Sequence, residues 1–398
     1  MYQVSDSTAL LRAHRRLLSR APATPRVARV VVLLGLTSLI TDVSAEMVAS
    51  VLPLYLVAIG GFSPLAFGVI DGIYQGATSL VGLASGFVGD RFRRHKDVAA
   101  MGYGLSAVSK LLLATAGTAV SAVGAIVLVD RIGKGIRTAP RDTMISHATP
   151  PDQLGAAFGV HRALDTTGAV LGPILAFAML AVAPLAFHSL FLVSFCIALV
   201  GVALLVLFVD PQRAAGDDDR PATPSLRGAF GLLRDTGYRS LLLAGGALGL
   251  ATASDAFIFL RLQERLDLGT SLFPLLFVGS SAIYMVLAVP AGRLADRIGR
   301  GRVFIGGYAL LLGAYYAATD GVLMAMGSAV VPDDLRGSGL ALLGTATSVA
   351  RLVASLLFGA LWTVWGIHAA VGAFAVGLAV AMTASSILLR PRHGQQRA

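Results

Sequence analysis

Residues 128–145 read Leu128-Val129-Asp130-Arg131-Ile132-Gly133-Lys134-Gly135-Ile136-Arg137-Thr138-Ala139-Pro140-Arg141-Asp142-Thr143-Met144-Ile145, six charges inside a chain that otherwise reads as successive apolar spans. As one helix at about 100° per residue, Asp130, Lys134, Arg137 and Arg141 fall on one narrow face, with Arg131 and Asp142 on a neighbouring one. A short basic loop is the simplest alternative. Against it, the apolar run Ser121–Val129 cannot cross a bilayer alone, since a spanning helix needs about 20 residues. The stretch therefore reads as a charged membrane helix. Charges at that depth are costly unless they pair or face a watery cavity, and they commonly mark an ion or substrate path. The competing reading is an ion-pair network that only holds helices together.

The composition points the same way. Of 398 residues, 56% are hydrophobic and 14% charged, against about 25% charged in a soluble domain. The 45 glycines suit helices that approach closely in a membrane. A net charge of +10 could suggest nucleic acid, but the basic residues cluster at span ends, where they orient a membrane protein. Nucleic-acid binding is not expected. Cys196 is the single cysteine, so no intramolecular disulfide can form. A Walker A loop, a His-Glu-x-x-His pair and a Gly-x-Ser-x-Gly elbow are all absent from the sequence, so neither an enzyme nor a primary pump is expected, and no cofactor.

Outward from the charged helix, residues 1–27 form a basic segment holding Arg12, Arg15, Arg16, Arg20 and Arg26. Positive flanks stay in the cytoplasm, which places the N-terminus inside. Apolar runs at about 29–59, 66–89, 98–118, 121–145, 155–181 and 188–209 make a six-helix bundle over 28–209. Residues 210–238, with Asp217-Asp218-Asp219-Arg220 and three prolines, read as a cytoplasmic linker. A second bundle occupies 239–389 and a basic tail 390–398. In the first span Asp42 and Glu46 lie one turn apart near mid-membrane. Two carboxylates so close in a poor solvent do not both ionise cheaply, which nominates them as proton carriers. Lys134, Arg137, Asp130, Arg162, Asp165, Asp255 and Asp320 are expected to line a substrate cavity. The lone intramembrane His161 has no second His or Cys at ligand spacing, so no metal site is expected.

The chain repeats itself. Gly86-x-x-x-Asp90-Arg91-x-x-Arg94 returns as Gly292-x-x-x-Asp296-Arg297-x-x-Arg300, and Pro151-Asp152-Gln153-Leu154-Gly155 returns as Pro332-Asp333-Asp334-Leu335-Arg336-Gly337. Matching motifs at matching positions of two halves mark a duplicated transporter with its site between the halves. On these motifs the chain resembles the major facilitator superfamily along nearly its whole length. The resemblance implies that Asp90, Arg91, Asp296 and Arg297 latch the cytoplasmic helix ends. Arg131-Ile-Gly-Lys134-Gly135 looks like the family's fourth-span Arg-x-x-Gln-Gly element for proton coupling, with Lys134 in place of Gln. Gly168-Ala-Val-Leu-Gly172-Pro173 is similar to the fifth-span element of exporters, although Gly-x-x-x-Gly also serves plain helix packing.

The reading is therefore an all-α polytopic protein of two pseudo-symmetric bundles in a bacterial inner membrane, acting as a monomer. It would carry a small, anionic or zwitterionic organic solute outward against protons. A proton symporter and a transport-inactive scaffold or sensor are the alternatives. One piece is missing. The latch repeats after 206 residues but the Pro-Asp turn after 181, which leaves the second half 25 residues short between them. Eleven spans are expected instead of twelve. Residues Val303–Val331 would form either one fused helix carrying Asp320 or a bent, incomplete hairpin, and the basic tail favours the hairpin.

Overall fold

A computed structural model describes residues 28–92, 94–150, 153–210, 231–310, 312–332 and 335–389, without the side chains of 83–92, 312, 336 and 337. The basic N-terminal segment, most of the linker and the tail lie outside the described residues. Those described are almost entirely helical, with no strand among them. The first bundle holds α1 (Arg29–Leu54), α2 (Pro64–Phe92), α3 (His95–Thr115), α4 (Val120–His147), α5 (Leu154–Val182) and α6 (Phe187–Phe208). Pro53, which cannot donate to the backbone ladder, precedes a π-helical turn over Tyr55–Ile59 that ends α1. The charged stretch is helical throughout, as expected, and α4 packs between α2 and α3.

The second bundle holds α7 (Thr236–Leu250), α8 (Asp255–Leu266), α9 (Phe273–Ile298), α10 (Arg300–Gly307), α11 (Leu312–Val330) and α12 (Arg336–Leu388). Asp235 caps α7 by accepting from the Tyr238 N–H, and Ser254 caps α8 by accepting from the Ala256 N–H. α12 breaks at Gly366, whose φ of 81° favours glycine. With α7 and α8 counted as one span and α12 as two, the second bundle has five helices near span length against six in the first.

The shortfall falls where the repeat spacing places it, but not as a fused helix. Val303–Val331 is interrupted after Gly307 by tight turns, in which the N–H groups of Tyr308, Ala309 and Leu310 donate to carbonyls three residues back. The two pieces then pack antiparallel. Arg300 donates to the Ala325 carbonyl at 3.0 Å, and a Cβ on Gly307 would stand 2.7 Å from that of Ala318. The tip meets the outer-middle part of α9, where a Cβ on Gly313 would clash with the Ser280 carbonyl at 2.0 Å. α10 has only 8 residues, about 12 Å at ~1.5 Å per residue. The hairpin thus enters and leaves at one end of the molecule, the end carrying Arg29, Arg94, His147 and Arg300, called the basic end below.

This geometry sets the course of α12. Its first arm runs antiparallel to α2, from a hydrogen bond between Ser79 and Ser348 (2.8 Å) to one from the Leu65 N–H to Thr363 Oγ1 (2.9 Å). The second arm returns beside α7, so that Leu389 packs with the cluster around Leu241 at the basic end. At the opposite end one apolar cluster crosses both bundles, with Phe67 against Phe257 at 4.8 Å and Phe257 against Phe358 at 4.7 Å. At the basic end the apolar clusters stay within one bundle.

Candidate functional site

The charges of α4 divide into two sets. Asp130 is turned towards α3, where it accepts from Lys110 Nζ (2.9 Å), Ser109 (3.2 Å) and Ser106, while its other oxygen accepts from Arg131 Nε (2.9 Å). Two turns nearer the basic end, Arg137 donates to Asp42 at 3.1 Å with both side chains buried, and its guanidinium lies 4.3 Å from the Tyr103 ring centroid. Arg141 pairs with Asp142 at 3.0 Å and reaches Asp165 at 3.9 Å, and Ser38 donates to Asp165 at 2.8 Å. These groups tie α1, α3, α4 and α5 together in a low-dielectric interior, where each charge needs its partner.

The second set faces a cavity of about 440 Å³ between the bundles. Lys134 lies 3.7 Å from Glu46, both about a quarter exposed, and Arg131 stacks 4.0 Å over the Tyr74 ring. Asp255, Asp320 and Tyr316 form the facing wall, from the second bundle. Arg351 holds Asp320 at 2.9 Å. Asp320 also lines a second cavity of about 430 Å³, with Ser79, Tyr308, Thr319, Ser348 and Arg351, beside the hairpin. The Asp320–Arg351 pair thus stands between the two spaces.

The bundles meet along α2 and the first arm of α12. Asp71, buried, accepts from Ser254 (3.1 Å) and Ser355, both of the other bundle, and Gln75 donates to Ser254 at 3.3 Å. A Cβ on Gly68 would stand 2.5 Å from the Ser355 carbonyl and one on Gly359 2.4 Å from that of Pro64, so bare glycine backbones make the seam.

A model of the Major Facilitator Superfamily matches residues 34–319. The chain belongs to the major facilitator superfamily. It is 30% identical over 364 residues to an uncharacterised MFS-type transporter of Methanocaldococcus jannaschii, a match covering 84% of this chain and 88% of the relative. Among solved structures it superposes on the nucleoside transporter NupG with a TM-score of 0.74 (13% identity, 92% of this chain and 100% of that one). It also superposes on a D-xylose-proton symporter with a TM-score of 0.71 (14% identity, 90% and 96%). At such identities these two show the fold. The protein is a multi-pass membrane transporter of this superfamily and not an enzyme.

Within that frame the expected residues fall into distinct places. Glu46, Arg131, Lys134, Asp255 and Asp320 line the central cavity. Asp42, Asp130, Arg137, Arg162 and Asp165 do not. Asp42, Asp130 and Arg137 are held in the helix-to-helix network, Asp165 is bound by Ser38 and Arg141, and Arg162 is largely exposed. A helical face drawn from sequence treats α4 as isolated. In the bundle its neighbours α1, α3 and α5 surround that face, so only part of it opens on the cavity. The exporter-like glycines of the superfamily pack α5 on α1, since a Cβ on Gly168 would stand 2.5 Å from the Leu39 carbonyl and one on Gly172 2.6 Å from that of Val43. Pro173 is buried beside them. Of the latch residues, Asp296 pairs with Arg300 at 3.2 Å and Arg297 is exposed, while the side chains of Asp90 and Arg91 lie outside the described residues. Tyr74, Tyr284, Tyr316, Ser254, Ser280 and Ser281 also line the cavity. They carry no charge that would mark them in an apolar sequence.

Proposed function

We propose that this transporter exchanges a small zwitterionic organic solute for protons by alternating access, and that it works as an exporter. The observation that carries the reading is the division of charge across the cavity. Arg131 and Lys134, the cavity's two cations among the described residues, stand on the first-bundle wall beside Glu46 and Asp71, and Asp255 and Asp320 on the facing wall. A solute with a carboxylate and an ammonium group recovers part of its desolvation cost at both walls. A proton arriving at Glu46, Asp255 or Asp320 removes the negative charge that holds the ammonium group. Proton and solute then compete for one site, which is what antiport requires.

The Glu46–Lys134 pair also supports symport. Protonating Glu46 frees Lys134 for the solute's carboxylate, and proton and solute then ride together. Under either scheme the basic end faces the cytoplasm, with the N-terminal segment 1–27, the linker 210–238 and the tail 390–398 on that side. The bundles 28–209 and 239–389 rock about the glycine seam of α2 and α12. The protein is placed in a bacterial inner membrane as a monomer.

Reconstitution tests this reading. Proteoliposomes carrying an imposed pH gradient are offered labelled amino acids, dicarboxylates and amines. Uptake driven by an acidic lumen indicates antiport, and uptake driven by an acidic exterior indicates symport. Preference for the dicarboxylates or amines over the zwitterions overturns the solute class. Absence of flux with every class supports the scaffold reading.

A further inference from the structure

The second bundle is not filled above the hairpin. A groove of about 470 Å³ opens there, walled by Ile258 and Leu262 of α8 and by Phe358, Val371 and Phe374 of α12, and floored by Tyr308 and Leu310 of the hairpin tip. Its cause is the length deficit. α10 and α11 turn back where a full pair of spans would continue, so the outermost part of their place is vacant. The groove and the central cavity share only Asp255, which leaves α8 as the partition between them.

The walls are apolar. Leu310 and Val371 are about half exposed. At the end away from the hairpin the lining changes to Arg261 and Arg265, one turn apart on α8. Arg265 is exposed, and among the described residues Arg261 is ion-paired only with Glu264 of its own helix. A guanidinium fork binds the oxygens of a phosphate ester in bidentate fashion. Apolar walls that end in two arginines match a molecule with a long hydrocarbon tail and a phosphate head. The described residues flanking the N-terminal segment, the linker and the tail, namely Ala28, Asp210 and Leu389, all sit at the basic end, away from the groove.

We propose that this groove is a binding site for one phospholipid, its acyl chain over Tyr308 and Leu310 and its phosphate on Arg261 and Arg265. The lipid completes the short bundle where protein is missing. The site is independent of the solute reading, because it lies across α8 from the central cavity and its occupancy is measured without transport.

Native mass spectrometry of the detergent-purified full chain tests it, with phosphatidylglycerol, phosphatidylethanolamine and diacylglycerol added in turn. The expected result is one retained molecule of either phospholipid and none of diacylglycerol. The double variant R261Q/R265Q should retain phospholipid at least about tenfold more weakly, the loss expected from removing charge-assisted bonds. Val371→Trp, which fills the groove, should also abolish retention. A photoactivatable acyl chain should label residues 258–262 and 371–378 of the wild type, which keeps the test open if a variant fails to fold. Equal retention of diacylglycerol, undiminished retention by R261Q/R265Q, labelling elsewhere, or a dimer that Val371→Trp dissociates would overturn the proposal.

Discussion

The two bundles descend from one pattern yet use charge differently. In the first, Asp42–Arg137 and Asp130–Lys110 are buried pairs that join helices, and Glu46, Asp71, Arg131 and Lys134 reach the cavity. In the second, the Asp320–Arg351 pair is partly exposed and lies between two cavities. The difference teaches that the number of charges in a span does not locate the site. A buried pair serves structure, because separating it strands a charge, whereas a half-exposed pair can open at modest cost. The bundles also differ in completeness. The first has six spans, and the second replaces two of them by a hairpin that leaves and re-enters at the basic end.

The comparison breaks most visibly at the C-terminus. A hairpin keeps the tail on the side of the N-terminus, so a C-terminal fluorescent-protein fusion should fluoresce in a bacterial host and an alkaline-phosphatase fusion should be inactive. An active phosphatase would mean that the hairpin crosses the membrane.

Next in size is the buried network. Arg137→Ala should strand Asp42 and cost about 3–5 kcal/mol, read as a large fall in thermal stability or in folded yield. Pairing Arg137→Gln with Asp42→Asn should recover much of it. If the double variant is no better than the single, the Asp42–Arg137 pair does not do this work.

A smaller effect is expected at the hairpin tip. Gly313→Val places atoms against the Ser280 carbonyl and should cost about 1–3 kcal/mol through overpacking. Gly321→Val is the control, since nothing lies within 4 Å of its Cβ position. Equal melting temperatures for the two would show that the tip does not dock on α9. The smallest change belongs to the Asp296–Arg300 pair, which is largely exposed. Asp296→Asn should alter stability by at most about 1 kcal/mol. If its effect rivals that of Arg137→Ala, the exposed pair holds more of the fold than its geometry implies.

Much of this architecture was legible in the sequence because the bilayer enforces it. Span lengths, the doubled Gly-x-x-x-Asp-Arg element and the 25-residue deficit follow from counting, and the deficit came out where it was placed. The basic tail favoured a hairpin over a fused helix, but where the hairpin turns and docks was not legible. It depends on Gly307 and Gly313 meeting Ala318 and Ser280, contacts that no periodicity encodes. Ion pairs such as Lys134–Glu46 could be anticipated from depth and spacing. Which of them line the cavity could not, because that depends on how α1 and α5 rotate against α4. The uncharged lining, Tyr74 and Ser254 among it, gave no signal above the apolar background.

The central claim is that a carboxyl group beside Lys134 couples the solute to protons, and Glu46→Gln tests it most directly. In proteoliposomes the variant should exchange labelled for unlabelled solute at a measurable rate, yet show no accumulation when a pH gradient is imposed. Its melting temperature should stay close to that of the wild type, because the pair is partly exposed. Wild-type accumulation under the pH gradient in the Glu46→Gln protein would contradict the account.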